Sequence, residues 1–215
     1  MIKIMLVDDH KMVREGIRKL LEFEGDCKVV LEAGNGKEAL NLLCEREDKP
    51  DLIILDINMP EMNGIEFLKC LKKKRWKSKV LILTSNNDID FLVSCIDLDI
   101  NGYLLKSSDS VELLRAVHYV CVGKRFIQPS LIPLLNAKLM ARDMEADKFN
   151  KLSDREKDVI RYVALGLLNK EIGEKMGISE RTVKNHLSNI FKKIDCSDRT
   201  QAAIFAIRNG LVKIH

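Results

Sequence analysis

The chain has 215 residues, of which 46% are hydrophobic and 32% charged, with only four prolines. This length favours two cores of ordinary size, and the composition is that of a folded globular protein rather than a disordered one. The apolar stretches are too short to span a bilayer and no signal-peptide core is present, so we expect a cytoplasmic protein. The six cysteines occur singly, which excludes a CxxC motif for zinc or dithiol chemistry and predicts reduced thiols.

The net charge of +4 is distributed unevenly along the chain. From residue 151 onward, 13 basic and 8 acidic residues give +5, so residues 1–150 carry 4 − 5 = −1. A basic C-terminal third joined to a nearly neutral remainder is typical of a phosphate-binding module attached to another domain.

Residues 1–122 alternate short apolar runs with helical patterns. Runs such as Leu52–Leu55 suit strands buried on both faces, and the strict alternation predicts a parallel sheet with right-handed crossovers. The predicted fold is therefore a five-stranded, doubly wound α/β domain of the flavodoxin-like type. Its strands are predicted at 2–7, 27–32, 51–55, 79–83 and 101–105, and its helices at 11–24, 36–47, 64–75, 88–97 and 109–122.

The pattern changes after residue 122, where Gly123, Pro129 and Pro133 interrupt it. We expect a partly helical linker over 123–148, followed by an all-α, four-helix domain over 149–215. Its first helix is predicted to begin at Ser153, because Glu156 follows at capping-box spacing. The next helices, over about 169–176 and 179–194, flank a glycine and predict a helix-turn-helix, with a last helix over about 199–208.

Polar residues follow four of the predicted strands. Asp8 and Asp9 follow the first strand, Asp56 the third, Thr84 the fourth and Lys106 the fifth. Ligand sites of open parallel sheets lie beyond the carboxyl ends of the strands, so these side chains should meet. Carboxylates that converge repel one another unless a hard cation neutralises them, which predicts Mg²⁺. With a lysine and a threonine nearby, the set predicts phosphoryl transfer, with the central Asp56 as nucleophile.

The same residues carry a family resemblance. Asp8-Asp9, Asp56 with the following Met59-Pro60 and Gly64, and the run Tyr103 to Lys106 resemble the receiver domain of two-component response regulators. The resemblance covers about residues 1–122. It implies that a sensor histidine kinase phosphorylates Asp56 and that Mg²⁺ is the cofactor.

The receiver resemblance also implies a role for each residue at the site. The metal would be bound by Asp9, Asp56 and the backbone carbonyl of Asn58, while Asp8 would hold a metal-bound water. Thr84 and Lys106 would contact the phosphoryl oxygens, and Tyr103 would be the aromatic residue that changes position on activation.

The helix predicted over 179–194 has one apolar face and one face rich in hydrogen-bond donors, which suits entry into the major groove of DNA. The motif Asn169-Lys170-Glu171-Ile172 and the run Ser179 to His186 resemble the LuxR-type DNA-binding domain over about 149–213. Groove-facing residues would then be Lys184 and its neighbours, and the last helix would pair two protomers. The residues implicated in DNA contact are Thr182, Val183, Lys184, Asn185, His186, Lys192 and Lys193.

A receiver followed by a LuxR-type domain is the arrangement of the NarL/FixJ family of regulators. It implies a transcriptional response regulator in which phosphorylation of Asp56 relieves inhibition or promotes homodimerisation on double-stranded DNA. RNA polymerase is a further expected partner if the chain activates transcription. The only expected reactions are magnesium-dependent self-phosphorylation and self-dephosphorylation.

Two other functions remain open on the residues alone. One is a DNA-binding regulator that works independently of phosphorylation, with the receiver as a dimerisation platform. The other is a phosphohydrolase with an aspartate nucleophile, a class that usually has a second aspartate two residues after the first. This chain has Asn58 at that position.

Overall fold

A parallel sheet organises the N-terminal part of the chain. The computed structural model describes residues 1–23 and 25–212, divided into two units, Met1–Asn136 and a second that begins at Ala137. The strands of the first unit lie in the order β2-β1-β3-β4-β5-β6, and every neighbouring pair is parallel. They are β1 (Ile2–Val7), β2 (Cys27–Ala33), β3 (Leu52–Leu55), β4 (Lys79–Thr84), β5 (Gly102–Leu105) and β6 (Phe126–Ile127).

Five helices alternate with these strands and bury them. One face of the sheet packs against α1 and α5, where Leu21, Leu113 and Val117 join the core. Alternate strand residues such as Met5 and Ile53 are also fully buried, which leaves the other face to the remaining helices. The helices are α1 (Lys11–Phe23), α2 (Gly36–Glu45), α3 (Gly64–Lys74), α4 (Ile89–Asp97) and α5 (Ser110–Cys121).

The predicted parallel α/β fold is confirmed, with one correction to the strand count. The sheet has six strands and not five, because Phe126–Ile127 adds to the edge beside β5. The amide of Phe126 donates to the carbonyl of Asn101, and the amide of Gln128 donates to that of Tyr103. Two residues are too few to establish a strand period, so the apolar pattern could not reveal β6.

The other predicted elements are present, with ends that differ by a residue or two. The helix predicted over 11–24 is observed as α1, and residue 24 lies outside the described residues. The segment predicted as a partly helical linker contains β6, a short 3-10 helix at Pro129–Leu131 and most of α6 (Ile132–Asn150).

The second unit is helical throughout its described residues. The capping box expected at Ser153 is present, since its hydroxyl accepts from the Glu156 amide and the Glu156 carboxylate accepts from the Ser153 amide. Among residues 1–23 and 25–212, no helix is long and apolar enough to cross a membrane. Besides the C-terminal part of α6, the elements are α7 (Asp154–Ala164), α8 (Asn169–Met176), α9 (Glu180–Ile194) and α10 (Arg199–Arg208).

Candidate functional site

Two buried aspartates lie at the carboxyl edge of the sheet. Asp8 follows β1 and Asp56 follows β3, and each is only 4% exposed. Their backbones continue the sheet, because the Asp8 amide donates to the Ala33 carbonyl and the Asp56 amide to the Val7 carbonyl. The fold therefore fixes both carboxylates at the strand ends, as parallel-sheet topology predicts.

Lys106 bridges these two carboxylates from the end of β5. Its Nζ lies 2.6 Å from Asp56 Oδ2 and 2.7 Å from Asp8 Oδ2. Burial opposes the charge of this ammonium, but the hydrogen bonds and charges of Asp56 and Asp8 outweigh burial and raise the pKa of Lys106. The lysine is thus held protonated between the two carboxylates at neutral pH.

Asp9 and His10 complete a group of potential metal ligands. His10 Nδ1 lies 2.7 Å from Asp9 Oδ1 and 3.4 Å from Asp8 Oδ1. One donor atom from each of Asp8, Asp9, His10 and Asp56 lies within 4.8 Å of the others. Three carboxylates at this spacing suit a hard divalent cation such as Mg²⁺. Sequence reasoning missed His10, although it directly follows the two aspartates.

The second oxygen of Asp56 is oriented by the loop that follows it. Asp56 Oδ1 accepts from the Ile57 amide at 2.7 Å and is 3.4 Å from the Asn58 amide. The side chain of Asn58 is exposed, at the mouth of the site. Asp56 therefore has one oxygen on backbone amides and the other on the Lys106 ammonium.

This loop closes tightly against the site. The amide of Gly64 donates to the Ile57 carbonyl at 2.8 Å, and the amide of Gly36 donates to the Met62 carbonyl at 3.0 Å. A Cβ at Gly64 would lie 2.5 Å from the Asp56 carbonyl oxygen, closer than real Cβ atoms approach. Only glycine fits there without moving the Asp56 backbone.

Thr84 and Tyr103 are linked through Asn86. Thr84 is fully buried, and its hydroxyl oxygen accepts from the Asn86 amide at 3.2 Å. The Tyr103 hydroxyl donates to the Asn86 carbonyl at 3.0 Å, and the Tyr103 side chain is 1% exposed. Burial raises the pKa of Tyr103 well above its usual value, so the phenol stays a neutral donor. The loop after β4 is thus held by hydrogen bonds to both the backbone amide and the backbone carbonyl of Asn86.

In the second unit, α8 and α9 form the expected helix-turn-helix. Gly177 ends α8 in the left-handed conformation, at φ 67°, and the Ser179 side chain caps α9 by accepting from the Thr182 amide. The turn lies close against α8, because a Cβ at Gly173 would lie 2.7 Å from the Ile178 carbonyl oxygen. The glycine positions therefore set the geometry of the turn.

The structure separates the residues predicted to touch DNA. Lys184, Asn185 and Lys192 are exposed on α9, while Thr182 and His186 are half-buried. The prediction that Val183 faces the groove is wrong, because this side chain is fully buried in the core with Leu187 and Ile190. An aliphatic residue in the apolar stripe of α9 packs against the other helices.

Lys193 has a partner within its own unit. Its Nζ lies 2.7 Å from Oε2 of Glu156, a carboxylate that is 4% exposed and also accepts from Ser153. The predicted DNA contacts do not include Arg181 and Ser188, which are exposed on α9 at the helical spacing of Lys184 and Lys192. These positions complete the exposed stripe, so spacing by i+3 and i+4 could have identified them.

Comparison with known proteins agrees with both halves of this description. Residues 4–118 match the response regulator receiver domain, and residues 150–206 match the bacterial regulatory proteins of the luxR family. The chain is 37% identical to the nitrate/nitrite response regulator NarL of Escherichia coli K12 over 203 residues, covering 94% of this chain and 93% of NarL. It is also 37% identical to LiaR of Bacillus subtilis over 212 residues, covering 99% of this chain and 100% of LiaR.

Solved structures give the same relationship. RcsB of Salmonella typhimurium superposes with a TM-score of 0.63 and 28% identity, covering 96% of this chain and 98% of that one. RcsB from Salmonella enterica serovar Typhimurium, bound to a promoter in the presence of the phosphomimetic BeF₃⁻, has a TM-score of 0.60 at 29% identity, with coverage of 96% and 98%. With a receiver fold carrying an aspartate cluster and a LuxR-type helix-turn-helix, the chain belongs to the NarL/FixJ family of DNA-binding transcriptional response regulators.

Proposed function

We propose that Asp56 is the phosphoacceptor of this regulator and that its phosphorylation controls DNA binding by the C-terminal unit. The observation that carries the proposal is the ammonium of Lys106, within 2.7 Å of both Asp56 and Asp8. A buried carboxylate beside a fixed cation is an arrangement for stabilising charge on a transferred phosphoryl group. We assign 1–122 to the receiver, 123–148 to the linker and 149–215 to the DNA-binding domain.

The residues at this edge have complementary roles in phosphoryl transfer. A carboxylate oxygen of Asp56 would attack phosphorus in line, as the bond from phosphorus to the kinase histidine or to a small donor breaks. Mg²⁺ held by Asp9, Asp56 and the Asn58 carbonyl, with Asp8 on a bound water, would supply charge neutralisation. Lys106 then exchanges a carboxylate partner for a phosphoryl oxygen. Slow self-dephosphorylation would regenerate Asp56.

Thr84 would transmit the change caused by phosphorylation of Asp56 to the loop after β4. Its hydroxyl is the group expected to contact the phosphoryl oxygen, and its movement would pull on the Asn86 amide that it now accepts from. Because Tyr103 donates to the carbonyl of the same Asn86, the tyrosine would be displaced or retained together with the loop. A loop with two discrete hydrogen-bonded arrangements is a suitable switch element.

We place the DNA interface on the exposed stripe of α9. Lys184 and Asn185 would contact the bases. Lys192 and the N-terminal cap of α9 around Thr182 would contact the phosphates of the DNA backbone. His186 and Lys193 are retained as supporting residues, because His186 is half-buried and Lys193 contacts Glu156. A relative with this fold is described bound to a promoter, which supports double-stranded DNA as the partner. A regulator of DNA acts in the cytoplasm, as a homodimer when phosphorylated and with RNA polymerase if it activates.

The test uses the full chain with Mg²⁺ and acetyl phosphate. We expect an added phosphoryl group by intact mass and tighter DNA binding or dimerisation in the wild type, both lost in Asp56→Asn. The matched control is Asp51→Asn, which removes the same charge just before the other end of β3 and should behave as wild type. An unchanged response in Asp56→Asn would contradict the assignment.

Phosphorylation without any effect on DNA affinity or oligomeric state would favour the phosphorylation-independent regulator. Sustained hydrolysis of phosphate esters would favour a phosphohydrolase.

A further inference from the structure

A segment rich in lysine and arginine spans the end of α3 and the start of β4. Residues 1–136 contain 20 basic and 21 acidic residues. Six of the 20 basic residues lie within 72–79. Without this segment, 14 basic and 21 acidic residues would leave a charge of −7. The same segment contains Trp76, the only tryptophan of the chain. Cations gathered on an otherwise acidic unit indicate a local affinity for anions.

A cavity of about 530 Å³ opens beside this tryptophan. It lies at the amino ends of the strands, where Ile2, Asp51 and Lys79 contribute to its wall, so it is at the edge opposite Asp56. Its volume is that of a small-molecule site rather than of a surface groove for a macromolecule. The basic residues that line it are Lys49, Arg75, Lys77 and Lys79.

Two of these lysines are held in place by the protein. Lys49 Nζ donates to the carbonyls of Leu43 and Arg46 and lies 5.3 Å from the centre of the Trp76 ring. Lys79 Nζ donates to the Cys121 carbonyl. An ammonium has three donors, so each lysine keeps at least one for a ligand. Within the described residues, no carboxylate forms an ion pair with any of the four cations that line the cavity.

We propose that this cavity binds a nucleoside polyphosphate. The cations suit a chain of phosphates. The Trp76 ring, which the ammonium groups of Lys49 and Lys74 approach to 5.3 and 5.4 Å from its centre, offers an aromatic surface for the base. Among the described residues, Asp51 is the one acidic residue in the wall, and its Oδ2 accepts a hydrogen bond from the backbone amide of Lys3. A carboxylate in this position suits the hydroxyl groups of a ribose. A simple polyanion would gain nothing from Trp76 or Asp51, which is why we assign the nucleoside and not phosphate alone.

Trp76 provides the readout, because it is the only tryptophan of the chain and lines this cavity. The full chain is titrated with ATP, GTP and inorganic tripolyphosphate, by fluorescence and by calorimetry. We expect saturable quenching by at least one nucleotide, and binding of tripolyphosphate about tenfold weaker or more, since stacking of the base is lost. Asp56→Asn should bind the nucleotide as wild type does, which keeps this test independent of phosphorylation.

A matched pair of charge reversals separates a built site from diffuse charge. Lys77 lines the cavity, whereas Lys73 is exposed in the same segment but does not line it. Lys77→Glu should weaken nucleotide binding about tenfold or more, because a charged hydrogen bond becomes a repulsion, and Lys73→Glu by much less. Equal weakening by both variants, equal affinity for tripolyphosphate, or no saturable binding would each overturn the proposal.

Discussion

At the residue scale, the two oxygens of Asp56 have different environments. Oδ1 accepts from the amide of Ile57, whereas Oδ2 accepts from the ammonium of the Lys106 side chain. An oxygen on a backbone amide cannot move without the loop, but an ammonium can shift with its partner. Oδ2 is therefore the oxygen that we expect to carry the phosphoryl group, as an acyl phosphate.

His10 should contribute to metal binding. Its ring nitrogen lies 2.7 Å from Asp9 Oδ1, where it either orients this carboxylate or joins the ligands. We expect His10→Gln to weaken Mg²⁺ or Mn²⁺ binding about tenfold, because loss of such a supporting group typically costs that much affinity. Calorimetric titration measures it, with the exposed neighbour in Met12→Gln as control. Unchanged metal affinity in His10→Gln would exclude this role.

Gly64 should tolerate no side chain. We expect Gly64→Ala to lower the free energy of unfolding by about 1–3 kcal/mol and to slow phosphorylation, because the new methyl group collides with the Asp56 backbone. Gly16→Ala is the control, since a Cβ there meets nothing within 4 Å inside α1. That variant should be neutral or slightly stabilising, as alanine favours helix. Urea unfolding and acetyl phosphate kinetics measure both effects, and equal behaviour of the two variants would contradict the argument.

At the element scale, α9 has a buried anchor at its C-terminal end. Lys193 near the end of this helix contacts Glu156 in the first turn of α7, and Glu156 is in turn bonded to its capping serine. The orientation of α9 thus depends on a buried carboxylate that sequence patterning identified only as a helix cap.

The two neighbouring lysines of α9 should behave differently. Lys193→Met leaves a buried carboxylate without its counter-charge and should destabilise the second unit by about 1–3 kcal/mol. Lys192→Met removes an exposed cation and should change the free energy of unfolding by no more than about 0.5 kcal/mol. It should weaken DNA binding and lower the slope of log affinity against log salt concentration by about one. Hydrogen exchange of α7 and α9 and DNA titrations at several salt concentrations test the pair. Similar profiles for both variants would show that Lys193 is no anchor.

The Glu156 anchor should also be sensitive to acid. Burial opposes its charge, but hydrogen bonds from Lys193 and Ser153 outweigh burial and lower the pKa of Glu156. Its contribution to stability is therefore complete above the ordinary pKa of glutamate, about 4.3, and is lost as pH falls through the lower folded value. The stability difference between wild type and Glu156→Gln should be largest at neutral pH and close below about pH 4. A difference independent of pH would exclude an ionised Glu156.

Sequence reasoning worked best where a period or a strand end carried the signal. The strands β1 to β5 and Asp8, Asp56 and Lys106 fall into this class, because parallel topology dictates where strand-end residues meet. It failed for β6, whose two residues have no period, and for Val183, which a motif placed at the groove but the apolar stripe of α9 places in the core. It also missed the contact of Lys193 with Glu156, since 37 residues separate the two.

At the scale of the whole molecule, the two units differ in net charge. Residues 1–136 carry 20 − 21 = −1, and residues 137–215 carry 16 − 11 = +5. DNA binding should therefore fall steeply with salt, by roughly a hundredfold or more between 50 and 200 mM for a dimer that contacts several phosphates. Self-association does not neutralise phosphates, so it should change much less with salt. Anisotropy with labelled DNA and sedimentation, on protein treated with acetyl phosphate, test this; a parallel loss of both would contradict the separation.

The loop from Ile57 to Gly64 is a spacer of fixed length. It is closed on itself by the bond from Gly64 to Ile57 and joined to the start of α2 by the bond from Gly36 to Met62, so its residues cannot be redistributed. One inserted or deleted residue would break one of these closures and rotate Asp56 away from Lys106. Substitutions at exposed positions such as Asn58 leave the closures intact. Homologous sequences that diverge from this chain should therefore differ in the amino acids of this loop but not in its length.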